Sequence, residues 1–179
     1  MEPVYRPSED SYLLLRHVVT LVSGDVLDMG TGSGIQAVAA ALKDDVSTVT
    51  AVDVNPAALI EAERRGKTAG AHAKMRFTLS DLFDCVEGVF DWITFNPPYL
   101  PSEGDGDEAS WTGGVGGGEA IRRFLAEARG HLKPGGSVLM VYSSLTGLGE
   151  EDFEGYRVEA LGEQPLFYET LICVRLTPS

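Results

Sequence analysis

Apolar positions along the chain switch between a helical period and short extended runs, and the switch points carry most of the information. Tyr12, Leu13, Leu14, Leu15, Val18, Val19 and Val22 recur at helical spacing. They predict an amphipathic helix behind a Ser8 N-cap, with Glu9 and Asp10 in its first turn, where acids complement the helix dipole. Residues 25–29 form a short apolar strand that runs into Gly30-Thr31-Gly32-Ser33-Gly34. A second helix follows, expected to turn Ile35, Val38, Ala39 and Leu42 inward. Residues 47–53 are rich in β-branched side chains and read as a strand. Asn55-Pro56 supplies an N-cap and an N1 proline for a helix ending near Gly66 or Gly70.

Residues 74–79 make a third strand and 89–95 a fourth, which stops at Asn96-Pro97-Pro98-Tyr99. Residues 119–131 are helical, with Ile121, Phe124, Leu125 and Ala128 on one face. Lys133-Pro134-Gly135-Gly136 is expected to turn into a strand over 137–143. Two strand-like runs end the chain, separated by Gly162-Glu163-Gln164-Pro165. Strands alternating with helices imply a doubly wound, mostly parallel α/β sheet, with the last two runs added as an antiparallel hairpin. The expected organisation is one domain over 1–179, with 1–23 as an N-terminal helical cover and the glycine- and acid-rich stretch 100–118 as a substrate loop.

Composition changes this picture in two places. Lysine and arginine total 14 against 27 acids, a formal net charge of −13. No basic stripe offers itself to phosphates, which weighs against a plain nucleic-acid binder. Such a surface suits a salt-rich cytoplasm, where self-repulsion is screened. A halophilic source is therefore expected, and a melting temperature that does not rise from low to multimolar KCl would refute it. The start, Met1-Glu2-Pro3-Val4, has no basic or apolar leader, and no apolar run is long enough to span a membrane. The cysteines, Cys85 and Cys173, are expected as buried free thiols in a reducing cytoplasm, and His17, His72 and His131 show no metal-ligand spacing.

The chemistry lies at strand ends. Asp28 precedes the glycine turn, Asp53 ends the second strand and Asp81-Leu82 follows the third. All three acids fall on the carboxyl edge, where open α/β sheets hold ligands. The glycines run G-x-G-x-G, with Ile35 where a dinucleotide fingerprint has its last glycine. An acid beside them would repel pyrophosphate and attract an ammonium, favouring a cationic or zwitterionic nucleoside over NAD. Asp53 is placed for ribose hydroxyls and Asp81-Leu82 for an adenine ring. At the same edge Pro97 and Pro98 fix their own φ angles and donate no N–H, and Asn96 is pushed into an extended conformation. The result is a stiff ledge of acceptors, with a flat ring at Tyr99, that suits a planar group carrying N–H donors.

Taken together, Asp28-x-Gly30-x-Gly32-x-Gly34, Asp53, Asp81-Leu82 and the Lys-Pro-Gly-Gly turn resemble the class I S-adenosylmethionine-dependent methyltransferases. Asn96-Pro97-Pro98-Tyr99 and the Pro-Ser-Glu-Asp-Ser opening narrow the resemblance to the HemK family of glutamine methyltransferases. That family methylates the Gly-Gly-Gln glutamine of peptide chain release factors. The length and the Ser-Trp-Thr-Gly-Gly stretch at 110–114 are similar to its short archaeal and eukaryotic branch, whose members pair with a small zinc-binding activator protein.

The resemblance implies a Rossmann-like class I methyltransferase fold with a seven-stranded sheet. It implies S-adenosylmethionine held by Ser11, Asp28, Gly30, Gly32, Gly34, Asp53, Asp81, Leu82 and Asn96. Substrate would lie on Asn96, Pro97, Pro98 and Tyr99, with Asn96, Pro97 and Tyr99 carrying the chemistry and no metal. The activator would add to the edge strand at 74–79. Two rivals stand beside this reading: an adenine-N6 DNA or RNA methyltransferase, which uses the same ledge, and a cofactor-binding regulatory module without catalysis.

Overall fold

The computed structural model describes residues 4–98 and 118–179. Its core is a seven-stranded sheet in the order β3-β2-β1-β4-β5-β7-β6, formed by β1 (Gly24–Met29), β2 (Val46–Asp53), β3 (Met75–Leu79), β4 (Phe90–Phe95), β5 (Leu132–Ser143), β6 (Tyr156–Pro165) and β7 (Thr170–Pro178). The first five strands pair in parallel, while β7 lies antiparallel to both β5 and β6. Helices α1 (Glu9–Leu21), α2 (Ile35–Ala41), α3 (Pro56–Ala69) and α4 (Glu119–Ala128) complete the layers. No described helix is long and apolar enough to cross a membrane.

Two apolar cores lie on the sheet's faces. Leu13, Leu14 and Val18 of α1 pack with Val26, Val49, Leu139 and Val141. Ile121, Phe124, Leu125 and Ala128 of α4 pack on the other face with Leu27, Val52, Ile93 and Met140, the helical face expected from the sequence. Alternate residues of one strand point to opposite faces, so Val26 and Leu27 serve different cores. Asn55 caps α3 by accepting from the Ala57 N–H at 2.9 Å, with Pro56 at the first helical position.

Several expectations are corrected. The buried face of α2 is Gln36, Ala37, Val38, Ala40 and Ala41, whereas Leu42 is exposed. Small alanines permit close approach against α1 and α3, so this helix is selected for size rather than for bulk. The final turn falls at residues 166–169, where the Leu166 N–H donates to the Glu169 carbonyl at 2.7 Å, four residues after Gly162. Gly162 instead marks a register shift opposite Cys173, where an added Cβ would come within 3.3 Å of His17. Residues 133–136 lie inside β5 and not before it. They form an irregularity in its pairing with β4, and Lys133 reaches both Asp25 and Asp91 at 2.7 Å. Cys173 is buried, but Cys85 sits exposed in the turn that follows Asp81.

Candidate active site

Parallel strands deliver their C-terminal residues to one edge. Met29 of β1 pairs with Val52 of β2 and with Phe95 of β4, so Gly30, Asp53 and Asn96 emerge side by side. An added Cβ at Gly30 would lie 3.6 Å from the Phe95 ring and 4.0 Å from the Asn96 carbonyl oxygen. The glycine turn therefore runs directly against the ledge.

Gly30, Gly32 and Gly34 all have positive φ, at 61°, 51° and 77°. At Gly34 the requirement is also steric, because a Cβ would fall 2.7 Å from Ala62 of α3. Two acids hold the turn in shape. Asp28, buried in β1, accepts from the Thr31 hydroxyl at 2.7 Å and the Ala37 N–H at 3.1 Å through one oxygen. Its other oxygen accepts from the Thr94 hydroxyl at 2.7 Å. Burial pushes the Asp28 carboxyl up to about 6, and the hydrogen bonds from Thr31, Thr94 and Ala37 oppose that rise. Asp53 accepts from the Gly32 N–H at 2.8 Å and the Asn55 N–H at 2.9 Å, and burial raises its pKa as well. Both acids thus order the turn itself, a role that motif spacing does not distinguish from ligand binding.

Asp81 lies at the same edge, half-exposed and paired with Arg123 at 3.0 Å. A pair this open to water contributes little to stability and exchanges readily for another partner. Leu82 beside it adopts φ 45°, an uncommon left-handed conformation for a non-glycine residue. Pro97 is buried and Pro98 half-buried. Tyr99, Trp111 and the expected substrate loop at 100–118, apart from Gly118, lie outside the described residues.

Asn96 and Ser11 are joined. The Asn96 side-chain amide donates to Ser11 Oγ at 3.4 Å, which ties the start of α1 to the end of β4. Gln36 donates to the Ser11 carbonyl at 2.8 Å. Two side-chain oxygens around this junction, Asn96 Oδ1 and Gln36 Oε1, are buried without a partner among the described residues. An amide oxygen held away from water without a hydrogen bond costs on the order of 1–3 kcal/mol, and such a cost is commonly retained where a ligand will supply the donor. Asp10 and Gln36 were not anticipated as parts of this site. The available signal for Gln36 was a polar residue one position into an otherwise apolar helix beside the glycine turn.

A sheet in this order, with a glycine turn after β1 and acids closing β1 and β2, defines a Rossmann-like class I methyltransferase fold. The solved ribosomal protein L11 methylase from Lactobacillus delbrueckii subsp. bulgaricus superposes with a TM-score of 0.67, at 18% identity, over 96% of this chain and 80% of that one. The model of the methyltransferase small domain family matches residues 7–153, and the chain belongs to that family. A Methanocaldococcus jannaschii protein named "Putative protein N5-glutamine methyltransferase" is 38% identical over 180 aligned residues, covering 96% of this chain and 90% of its own length. The "Release factor glutamine methyltransferase" of Koribacter versatilis is 37% identical across 66% of this chain. The match takes in 46% of that relative's length.

A methyltransferase of this family implies S-adenosylmethionine as methyl donor. The residues present fit it. Carboxylates, amide oxygens and backbone N–H groups line the edge, the cation there is already paired with Asp81, and acceptors predominate where a positively charged nucleoside would rest.

Proposed function

We propose that this protein transfers a methyl group from S-adenosylmethionine to the side-chain amide nitrogen of the glutamine in the Gly-Gly-Gln motif of a peptide chain release factor. The observation that carries the reading is the buried Asn96 Oδ1, without a partner among the described residues, on a proline-stiffened ledge. An amide nitrogen is a weak nucleophile because its lone pair is delocalised into the carbonyl. Asn96 Oδ1 accepts one N–H of the substrate amide and the Pro97 carbonyl accepts the other, which turns the nitrogen's face toward the donor and favours positive charge growing on it. Tyr99, outside the described residues, is assigned by its place in the motif to the flat face of the amide. S-adenosylmethionine, when bound, would supply the electrophilic methyl group. Asp53 would hold the ribose hydroxyls, Asp81 and Leu82 would hold the adenine, and Ser11, Asp28 and the three glycines would hold the methionine end. The methylated nitrogen keeps one hydrogen and releases the other to water.

The names of the Methanocaldococcus jannaschii and Koribacter versatilis relatives support a protein glutamine as acceptor. The test incubates the protein with labelled cofactor and, separately, with release factor, ribosomal proteins or adenine-containing DNA. Mass spectrometry of the release-factor peptide should show one added methyl on the Gly-Gly-Gln glutamine. Label that enters DNA or a ribosomal protein while release factor stays unmodified would overturn the reading.

The small zinc-binding activator is proposed to add a strand to β3. That strand is an edge of the sheet, and exposed edges with unpaired backbone groups are templates for strand addition. Leu79 is 54% exposed at its end. Phe77→Pro should abolish co-purification with the activator, and because Phe77 also packs on the core and stacks on His72 the variant is compared at a temperature where circular dichroism shows it folded. A retained complex would exclude this edge.

A further inference from the structure

An asparagine amide can present either its oxygen or its nitrogen to a ligand, and the two are distinguished only by the surrounding hydrogen bonds. The glutamine reading above requires the oxygen, and the structure contains a device that selects it. The Asp10 carboxylate accepts the Tyr5 hydroxyl at 3.0 and 2.8 Å through its two oxygens. The Ser11 N–H and, at 3.1 Å, the Ser11 hydroxyl also donate to Asp10 Oδ1. Burial and the adjacent Asp10 charge raise the Tyr5 pKa, so Tyr5 remains a donor throughout the physiological range. An ionised carboxylate is acceptor-only. The single proton on Ser11 Oγ is therefore drawn to Asp10, with the Tyr5 oxygen as its other neighbour, and toward Asn96 that oxygen accepts. Only Asn96 Nδ2 can satisfy it, which leaves Oδ1 facing away and unpartnered, as observed.

We propose that Asp10 is a positioning residue that sets the polarity of the Asn96 amide through Ser11. Its hydrogen bonds to Tyr5 and Ser11 place it one residue back from the amide it orients. Its work is to consume the Ser11 proton, so that the catalytic amide keeps an acceptor for the incoming N–H. Asp10 and Ser11 are 3% and 2% exposed, so water does not compete for these bonds.

The polarity argument makes an unusual mutational forecast. In Asp10→Ala the Ser11 hydroxyl is released, donates to Asn96 Oδ1 and favours the flipped amide, so kcat falls about tenfold, in proportion to the lost competent fraction. In Asp10→Asn the new side-chain oxygen still takes the Ser11 proton, and kcat stays near wild type. Ser11→Ala removes the bias altogether and costs about twofold in kcat at saturating cofactor, because an unbiased amide is correct half the time, while the loss of its proposed contact at the methionine end raises the cofactor KM. The double variant Asp10→Ala/Ser11→Ala should then recover to the level of Ser11→Ala alone. A merely structural role for Asp10 predicts additive losses instead, and a double variant slower than Asp10→Ala would overturn the proposal.

The inference rests on the proposed function for its kinetic arm, so a second readout is independent of substrate. The chain's asparagines are Asn55 and Asn96, and asparagine labelled with 15N yields side-chain amide signals from these alone. Asp10→Ala should shift the Asn96 amide signals and leave those of Asn55 in place, with Asp10→Asn close to wild type. If release factor is never methylated but the Asn96 signals shift, the substrate is wrong and the polarity device stands. Unshifted Asn96 signals in a folded Asp10→Ala protein reject the device, and if that variant is recovered unfolded, Ser11→Ala gives the same reading, since loss of the hydroxyl must also shift them.

Discussion

Asn96→Ala is expected to lower kcat for methyl transfer by a factor of about 10²–10³, the usual loss when one preorganised hydrogen-bonding group is removed from a reacting centre. The protein should meanwhile unfold at the wild-type temperature or slightly above it. Both halves follow from one atom. Asn96 Oδ1 is buried and unpartnered, so in the resting protein it contributes an unmet acceptor rather than a stabilising bond. The amide's other contact is a long one, 3.4 Å to Ser11. Truncation to alanine discards a small favourable term together with an unfavourable one of order 1–3 kcal/mol. Groups that are unsatisfied at rest and satisfied in the reacting complex commonly show this opposition between stability and activity. Thermal denaturation and single-turnover methylation of the same preparation measure both quantities. A variant that loses activity and melts well below wild type would place Asn96 among the structural residues instead.

Asp28 predicts the opposite balance. Asp28→Ala leaves the Thr31 hydroxyl, the Ala37 N–H and the Thr94 hydroxyl without their acceptor inside the core. The expected cost is about 3–5 kcal/mol, or a fall of about 10 °C in melting temperature for a domain of this size. Asp28→Asn should be far milder. Its oxygen can keep Thr31 and Ala37, and its amide can donate to Thr94, whose hydroxyl then turns to the Leu27 carbonyl already 3.4 Å away.

The pair of variants also separates in pH. The Asp28 pKa is raised in the folded protein to about 6 from an ordinary 3.8. Between those values the folded state holds a proton that the unfolded chain has released. The stabilisation from this proton is complete below the unfolded value and is lost as pH rises through about 6. Wild type should therefore gain up to roughly 3 kcal/mol relative to Asp28→Asn between about pH 7.5 and about pH 3.5. Denaturant unfolding of both proteins across that range tests it, and parallel pH profiles would show that Asp28 does not titrate there.

The sheet, its order and its antiparallel close were legible because each strand is a short apolar run bounded by turn residues. The errors have local physical causes. The expected face of helix α2 holds at Val38, which is buried, and Ala39, which packs on the core, but fails at Leu42, because alanines hardly signal periodicity and packing against neighbouring helices decides which of them is buried. Gly162 suggested a turn, when close approach to His17 was the reason for its lack of a side chain. At the site, spacing alone located Asp28, Asp53 and Asn96 on one edge. It could not show that the two acids spend their oxygens on the glycine turn, nor that Asp10, in the first helical turn, reaches Asn96 through Ser11. Those links cross 85 positions of chain, and no local pattern records them.

The contact between Gly34 and Ala62 limits how this sequence can drift. At Gly32 an added Cβ would meet nothing closer than 3.9 Å among the described residues, so within the protein only its backbone conformation restricts the choice; asparagine tolerates that conformation but would enter the space proposed for the methionine end. At Gly34 two independent vetoes coincide, a φ of 77° and a Cβ position 2.7 Å from Ala62. The closest atoms include the Cα of Ala62 itself, so a smaller residue at 62 does not remove the clash even for a residue that tolerates the dihedral angle. Position 34 is thus closed to single and paired exchanges alike, and the helix spacing beneath the glycine turn should persist through divergence that rewrites its neighbours.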